Sequence, residues 1–286
     1  MNTPRKLPAL GCVSVLVTIC LVSAVLRAAP SRAITVTPAD PQAVSGSITF
    51  GAAGDMGGGS DASATLTTLA AAGTNFFLHL GDMSYGQITP ESAWCKFVTD
   101  RVGTTFPYEI VSGGHESNTN NGDISKFAAC LPDKVGGING KYGKQYFFDY
   151  PQAPQSPLAR IIMISPGEKL PEGLQSYVKG TANYAFVQNS IENAHAAGIP
   201  WVIVGMAFDC ITAGEKSCEI SADLFNLLVS EKVDLVLQGH EHGYERSKQL
   251  ALSGACPAVP VGSFKSGCVV DDGSDNAYSQ GLGPVV

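Results

Sequence analysis

Short apolar runs, each followed by a polar turn, recur along the chain. The runs are nearly continuous and rich in β-branched residues, which predicts buried strands covered on both faces. Helical segments are predicted between them, at about 60–72, 90–101, 182–197 and 219–231. Strand–helix alternation indicates an α/β fold with a largely central sheet. The predicted strands are Ile48–Ala52, Phe76–Leu80, Tyr108–Val111, Trp201–Gly205 and Val233–Leu237.

Residues 117–150 break this pattern, because they are rich in Asn and Gly. We predict an irregular excursion beside the strand ends, either a plain surface loop or a loop that faces a substrate. Residues 34–46 are predicted to be an extended lead-in to the folded domain.

The N-terminus resembles a secretory signal. Arg5 and Lys6 precede an apolar stretch over residues 7–26, and Ser31-Arg32-Ala33 offers a cleavage site. We therefore predict a signal peptide over residues 1–33 and a secreted, extracellular protein without stable membrane association after cleavage. The apolar stretch is long for a signal, so an uncleaved N-terminal membrane anchor is the alternative.

Six cysteines remain after the predicted leader, and an even number behind a signal is typical of an oxidising compartment. Six cysteines allow fifteen pairings, among which sequence cannot choose. Pairing neighbours along the sequence gives the candidates Cys95–Cys130, Cys210–Cys218 and Cys256–Cys268. No CxxC spacing occurs, which argues against a zinc–thiolate site.

The charge balance limits the class of partner. The formal net charge is −7, and Lys and Arg are scattered singly rather than gathered into a basic stripe. The sequence therefore argues against nucleic-acid binding. It does not argue against a small phosphate ester held through metal ions.

The polar turns carry the candidate chemistry. In an open α/β sheet, ligands bind beyond the carboxyl ends of the strands, so turns that follow strands point into one crevice. Carboxylate, phenolate and imidazole groups are suited to Fe, Mn or Zn. Two such ions about 3.5–4 Å apart can clamp the oxygens of an in-line displacement. The candidate ligands are Asp55, Asp82, Tyr85, His240 and His242.

The ordered motifs resemble those of calcineurin-like metallophosphoesterases, and of purple acid phosphatases in particular. They are Gly54-Asp55-Met56-Gly57, Gly81-Asp82-Met83-Ser84-Tyr85, Gly113-Gly114-His115-Glu116 and Gly239-His240-Glu241-His242-Gly243-Tyr244-Glu245-Arg246. This resemblance spans residues 47–246. It implies an αββα sandwich of two mixed β-sheets flanked by helices.

The resemblance also implies a role for each matched residue. Asp55, Tyr85 and His242 would hold a first metal, ferric iron, with Asp82 bridging to a second ion of Fe, Zn or Mn held by His240. The implied reaction is hydrolysis of phosphate monoesters by a metal-bound hydroxide. His115 would steady the phosphate or protonate the leaving group.

Two positions depart from the family pattern. Gly114 stands where the family has Asn, and Ala207 stands where it has His, and both would be ligands of the second metal. Asp209 is a candidate substitute ligand, and a backbone carbonyl or a water is another. We expect activity far below that of an intact relative, and expect Gly114→Asn with Ala207→His to raise it.

The resemblance places the metallophosphoesterase domain at residues 47–286 and implies further strands of the second sheet beyond Val286. We therefore expect a C-terminally truncated sheet. Alternative functions stay open at this point. They are a non-catalytic or single-metal relative that binds phosphate or a partner, and a phosphodiesterase or nucleotidase on the same fold.

Overall fold

The computed structural model describes residues 46–117 and 121–286. The predicted signal peptide, the alternative anchor and nearly all of the lead-in lie outside these residues. Within the described ranges, no helix has both the length and the apolar character needed to cross a bilayer.

Two β-sheets form the centre of the structure. The first sheet has the order β1-β2-β3 and is parallel throughout. The second has the order β10-β9-β6-β5-β4, in which β10, β9 and β6 are parallel, β5 pairs antiparallel with β6, and β4 pairs antiparallel with β5. The strands are β1 Phe50–Ala53, β2 Phe76–Leu80, β3 Tyr108–Val111, β4 Asn139–Lys141, β5 Gln145–Tyr150, β6 Ala159–Ile164, β7 Lys169–Leu170, β8 Gly173–Leu174, β9 Trp201–Met206, β10 Leu235–Gln238, β11 Gln249–Leu250 and β12 Val269–Asp271.

The sheets pack face to face, and helices cover their outer faces. One apolar cluster lies between the sheets and joins residues of β2 and β3 to residues of β5, β6 and β9. Two further clusters lie outside it, under α1–α3 on the first sheet and under α4 and α5 on the second. The helices are α1 Ser60–Ala71, α2 Glu91–Val102, α3 Ile124–Cys130, α4 Ala182–Ala196 and α5 Ala222–Ser230.

Strand β2 shows why these sequences form buried strands. Phe76, Leu78 and Leu80 point between the sheets, while Phe77 points to the helices, because successive side chains of a strand alternate between its faces. Every residue of β2 is buried, so the strand requires apolar residues on both faces. The αββα architecture is confirmed, with the correction that the first sheet is parallel rather than mixed. The single central sheet predicted from alternation alone is wrong.

The prediction of an irregular segment over residues 117–150 is also wrong for 16 of these residues, which form regular elements. Helix α3 and strands β4 and β5 lie within it, and β6 follows. The glycine-rich turns obscured β5, whose aromatic residues pack against both neighbouring layers. The side chain of Arg160 interrupts the apolar run of β6, but it is satisfied by Asp149 of β5 at 2.7 and 2.9 Å.

Three disulfides fasten the fold, and the nearest-neighbour pairing is confirmed. Cys95–Cys130 joins α2 to α3, Cys210–Cys218 closes the loop that follows β9, and Cys256–Cys268 closes the loop between β11 and β12. The third bond is buried against the cluster under α4 and α5.

Candidate metal centre

The loops that follow the parallel strands meet at one edge of the sandwich. Asp55 follows β1, Asp82 and Tyr85 follow β2, and His240 and His242 follow β10. One contact ties the two sheets together here, because the backbone N–H of His240 donates to Asp55 Oδ2 at 2.8 Å. The convergence expected from the sequence is therefore present.

Tyr85 lies at the centre of this cluster. Its hydroxyl donates to Asp55 Oδ1 at 2.9 Å, lies 2.9 Å from His242 Nε2, and lies 3.4 Å from Asp82 Oδ2. His242 Nε2 is also 3.3 Å from Asp55 Oδ1. Four side chains from three loops thus present their donor atoms to a single small volume.

The backbone of the cluster is strained. Asp55, Asp82, Tyr85, His240 and His242 all have positive φ, between 52° and 74°. L-residues with side chains rarely adopt this left-handed conformation, which costs on the order of 1 kcal/mol or more each. The remaining non-glycine residues of this kind in the described ranges are Ser221, Lys232 and Asn276. Strain concentrated on the five candidate ligands indicates a functional site.

The acid–base properties of the cluster also favour a cation. Burial raises the pKa of Asp55 above its ordinary value. Burial raises the pKa of Tyr85 well above its ordinary value too, and the neighbouring Asp55 carboxylate adds to that rise. A cation at this point reverses these effects, because its charge stabilises carboxylate and phenolate together. The chemistry of these donors is therefore one that a bound cation would balance.

The donor distances fit a metal ion. Two ligand atoms at right angles, each about 2.1 Å from an ion, are about 3.0 Å apart. The contacts of Tyr85 with Asp55 and His242, at 2.9 Å each, match that spacing. Among the described residues, no three His, Cys, Asp or Glu side chains stand close enough to hold a metal by themselves. The phenol of Tyr85 is what completes this set.

His115 lies beside the cluster. Its backbone N–H donates to Asp82 Oδ1 at 2.8 Å, and its ring centroid is 4.1 Å from that of Tyr85. Its Nδ1 is 2.5 Å from Asn121 Oδ1, which fixes the orientation of the imidazole. An Nδ1–H donated to Asn121 leaves Nε2 available for a ligand.

Glu116 fastens the two loops that carry Asp82 and His115. Its carboxylate accepts backbone N–H groups from Asp82 at 3.0 Å, Met83 at 2.9 Å and Gly113 at 3.0 Å. The side chain is buried and supplies no ligand. It holds the Asp82 carboxylate and His115 in register, a role similar to that of the outer partners of metal ligands.

The second metal position is different. A methyl group added to Gly114 would lie 3.3 Å from Phe208 Cε1, and Ala207 is buried with its Cβ against Gly81. Neither position offers a donor side chain. His240 Nε2 lies 3.4 Å from Glu219 Oε1. The residues present here do not fit a tightly held second ion, because Asp82 and His240 alone fall short of the four ligands typical of a protein-bound transition metal.

Asp209, the candidate substitute ligand, is 1% exposed, and neither of its carboxylate oxygens has a hydrogen-bond partner in the described part of the chain. Burial raises its pKa to about 6. Neither oxygen forms a hydrogen bond to Asp82 or His240, although His240 lies close enough to offset part of the rise in the Asp209 pKa, so a role as ligand stays a prediction.

Several residues around the site were missed by sequence reasoning. Glu116 belongs to a quoted motif but acts through its three backbone partners, and Asn121 gave no signal because it lies in an Asn-rich run. Phe208 and Glu219 gave no sequence signal either, because only the tertiary structure brings them to His240. Glu168 is 1% exposed, and burial together with the nearby Asp82 charge raises its pKa to about 8.

The cluster opens onto a cleft of about 1400 Å³ lined in part by Asp55 and His242. Glu241 and Glu245 also lie on its wall, where they accept backbone N–H groups of the Cys210–Cys218 loop. Tyr244 reaches into this cleft and is 91% exposed. Of the cluster, Asp55 and His242 are therefore the residues that face this cleft.

The fold and this site define a metallophosphoesterase. The family model for calcineurin-like phosphoesterases matches residues 48–244, more than half of the chain, and the chain belongs to that family. Its curated relatives include purple acid phosphatases. Purple acid phosphatase 1 of Ipomoea batatas is 25% identical over 71% of this chain and 43% of its own length. The purple acid phosphatase of Glycine max is 26% identical over 79% and 50%.

Another relative, at 26% identity over 72% of this chain and 43% of its own length, is the phosphoenolpyruvate phosphatase of Allium cepa. Among solved structures, a purple acid phosphatase from yellow lupin seeds aligns with a TM-score of 0.52 at 18% identity, over 71% of this chain and 39% of that one. That likeness supports the fold. The chain spans about half the length of the curated relatives it matches, or less.

Proposed function

We propose that this protein is a metal-dependent phosphoesterase that hydrolyses small phosphate monoesters at a centre built on Asp55, Asp82, Tyr85 and His242. The convergence of Asp55 and His242 on the Tyr85 hydroxyl, at 2.9 Å each, carries the proposal. These donors suit iron, which would take the first position. The relatives named above support a phosphatase of the purple acid type.

The residues of the chain have separate tasks in this proposal. Asp55, Tyr85 and His242 would hold the ion, and Asp82 would complete its shell. A metal bound there would supply Lewis-acid polarisation of the phosphate and activation of water. In its protonated form His115, oriented by Asn121 at Nδ1, would present Nε2–H to a phosphate oxygen or pass that proton to the leaving oxygen.

The lack of donor side chains at the second metal position supports slow turnover. Without donors at Gly114 and Ala207, no second cation is held tightly enough to stabilise the charge that develops on the phosphate. The same observation favours a second candidate function, a relative that binds phosphate without turning it over. Both functions require the first cluster.

The disulfides and the predicted leader support a location outside the cell. Three disulfides are typical of a secreted protein. We place the protein outside the cell after removal of residues 1–33, with residues 47–286 as the phosphoesterase domain.

Hydrolysis of an aryl phosphate at acidic pH tests the proposal. We expect slow hydrolysis that a chelator abolishes and that Asp82→Asn removes, because Asp82 touches both Tyr85 and His115. Asp61→Asn, on the exposed face of α1, is the matched control and should hydrolyse at the wild-type rate. Phosphate binding without turnover would favour the second candidate. Hydrolysis that survives in Asp82→Asn would contradict both.

A further inference from the structure

Phe208 packs against two of the positions from which the resemblance expects ligands to a second metal ion. It follows Ala207 directly at the end of β9, and its ring lies against Gly114, where an added methyl would be 3.3 Å from Cε1 and 3.4 Å from Cζ. On another side the ring centroid is 4.9 Å from that of His240, at an interplanar angle of 63°. A methyl added to Gly167 would lie 3.1 Å from Cδ2. The ring is therefore wedged between several loops.

The position of the ring coincides with the expected ligand set. The resemblance predicts ligands to a second ion from positions 82, 114, 207 and 240. Phe208 is bonded to one of these positions and packs on two others, and the added methyl on Gly114 would be 3.9 Å from Asp82 Oδ1. The aromatic ring therefore adjoins three of the four expected ligand positions.

The remaining donors already have protein partners. Asp82 Oδ1 accepts the backbone N–H of His115 at 2.8 Å, and Oδ2 accepts the hydroxyl of Tyr85 at 3.4 Å. His240 Nε2 lies 3.4 Å from Glu219 Oε1. A cation inserted here would have to displace an apolar ring, and the expected ligand set would supply only Asp82 and His240 to hold it. Desolvating an ion without ligands is strongly unfavourable.

We propose that Phe208 closes the second metal position, so that this protein holds a single metal ion, at the Asp55–Tyr85–His242 cluster. The inference concerns metal stoichiometry and holds whether turnover is fast, slow or absent. It also revises the rescue expected from the sequence. Restoring the two missing ligands with Gly114→Asn and Ala207→His leaves the ring in place, and the new Asn side chain would press against it.

Metal equivalents per chain test this proposal. The purified proteins are loaded with Zn²⁺ or Mn²⁺, desalted and analysed for metal, and Zn²⁺ binding is followed by calorimetry. We expect one equivalent in the wild type, one in the double variant Gly114→Asn/Ala207→His, and two in the triple variant that adds Phe208→Ser. The triple variant with Phe97→Ser instead, in which a partly buried phenylalanine of α2 is removed, should still bind one.

Two equivalents in the wild type would overturn the proposal, as would two in the double variant. One equivalent in a Phe208→Ser triple variant that melts cooperatively would also overturn it, because the ring would then not be what closes the position. If the triple variant does not fold, the wild-type and double-variant counts still decide. Two metal equivalents in a wild-type protein that hydrolyses the ester would refute this inference but not the phosphoesterase proposal. One equivalent in a protein that does not hydrolyse it would refute the phosphoesterase proposal but not this inference.

Discussion

The hydroxyl of Tyr85 donates to Asp55 Oδ1 at 2.9 Å, which joins the loop after β2 to the loop after β1. Both residues have positive φ, 52° for Tyr85 and 56° for Asp55. A hydrogen bond between two strained residues offsets only part of their combined strain energy, since a net hydrogen bond contributes about 1 kcal/mol and each residue costs about that much or more. The proposed cation, with both oxygens as ligands, would account for this geometry.

Tyr85→Phe should therefore weaken metal binding. It removes the one oxygen that lies within 3.4 Å of Asp55, Asp82 and His242 together. We expect metal affinity to fall about tenfold or more, on the scale seen when metal-supporting groups are lost. A competition titration against a chelator measures this, and an iron-loaded protein should lose its visible charge-transfer band. Tyr244→Phe, at a 91% exposed tyrosine, should change neither quantity.

The strained backbone leads to a second prediction. His242 has φ 54° and a side chain that is 62% exposed, so His242→Asn should relieve strain, because Asn tolerates the left-handed region better. We expect metal affinity to fall at least about tenfold. The free energy of unfolding of the metal-free protein should stay level or rise by up to about 1 kcal/mol.

Lys232→Asn is the matched control for this substitution. Lys232 has φ 56° and lies just after α5, where it takes no part in the cluster. It should show the same small gain in denaturant unfolding with metal affinity unchanged. The prediction is contradicted if His242→Asn lowers the free energy of unfolding of the metal-free protein by as much as it lowers the free energy of metal binding. The backbone strain at His242 would then not be linked to metal binding.

His115 depends on Asn121 for its orientation, and this contact leads to a third prediction. Asn121→Ala removes the 2.5 Å contact at Nδ1 and allows the imidazole to rotate and change tautomer. We expect kcat for an aryl phosphate to fall about tenfold or more, within the range that general acid–base groups contribute, with KM changed less. Asn139→Ala, at an exposed residue of β4, should leave both constants unchanged. Equal loss in both variants would mean that Asn121 acts on stability alone.

How far the sequence predicts this molecule differs between its parts. The strands β1, β2, β3, β9 and β10 could be located because each ends in a polar turn with a recognisable motif. Strand β6 was not predicted from the sequence because no such turn follows it, although its residues are all buried. The candidate ligands could be named because their order along the chain is characteristic of the family.

The closed second position could be predicted only in part. The missing donors at Gly114 and Ala207 can be recognised in the sequence. No sequence pattern, however, predicts that Phe208 lies between Gly114 and His240. That contact joins the loops after β3, β9 and β10, and it depends on how the two sheets stack. In the same way, the three backbone partners of Glu116 become neighbours only through tertiary packing.

A last prediction concerns Glu109, a carboxyl group in β3 that is fully buried. Its Oε1 accepts the backbone N–H of Lys134 at 3.2 Å, and its Oε2 has no hydrogen-bond partner among the residues described. Burial raises its pKa from 4.5 to about 7. Between these values the folded protein binds a proton that the unfolded chain releases. The stabilisation from this group is therefore complete below pH 4.5 and is lost as the pH rises through 7.

Glu109→Gln should remove that pH dependence, because a neutral amide replaces the carboxyl while its oxygen can still accept from Lys134. We expect the free energy of unfolding of the variant, relative to wild type, to rise between pH 4.5 and pH 7 by up to about 3 kcal/mol. Denaturant unfolding at a series of pH values measures this difference. Other titrating groups, such as the buried His79, are present in both proteins. Their contributions to the pH dependence therefore cancel in the difference between variant and wild type. Glu192→Gln, at an exposed residue of α4, should run parallel to wild type. A constant difference for Glu109→Gln across this range would show that Glu109 carries the same charge in the folded and unfolded states.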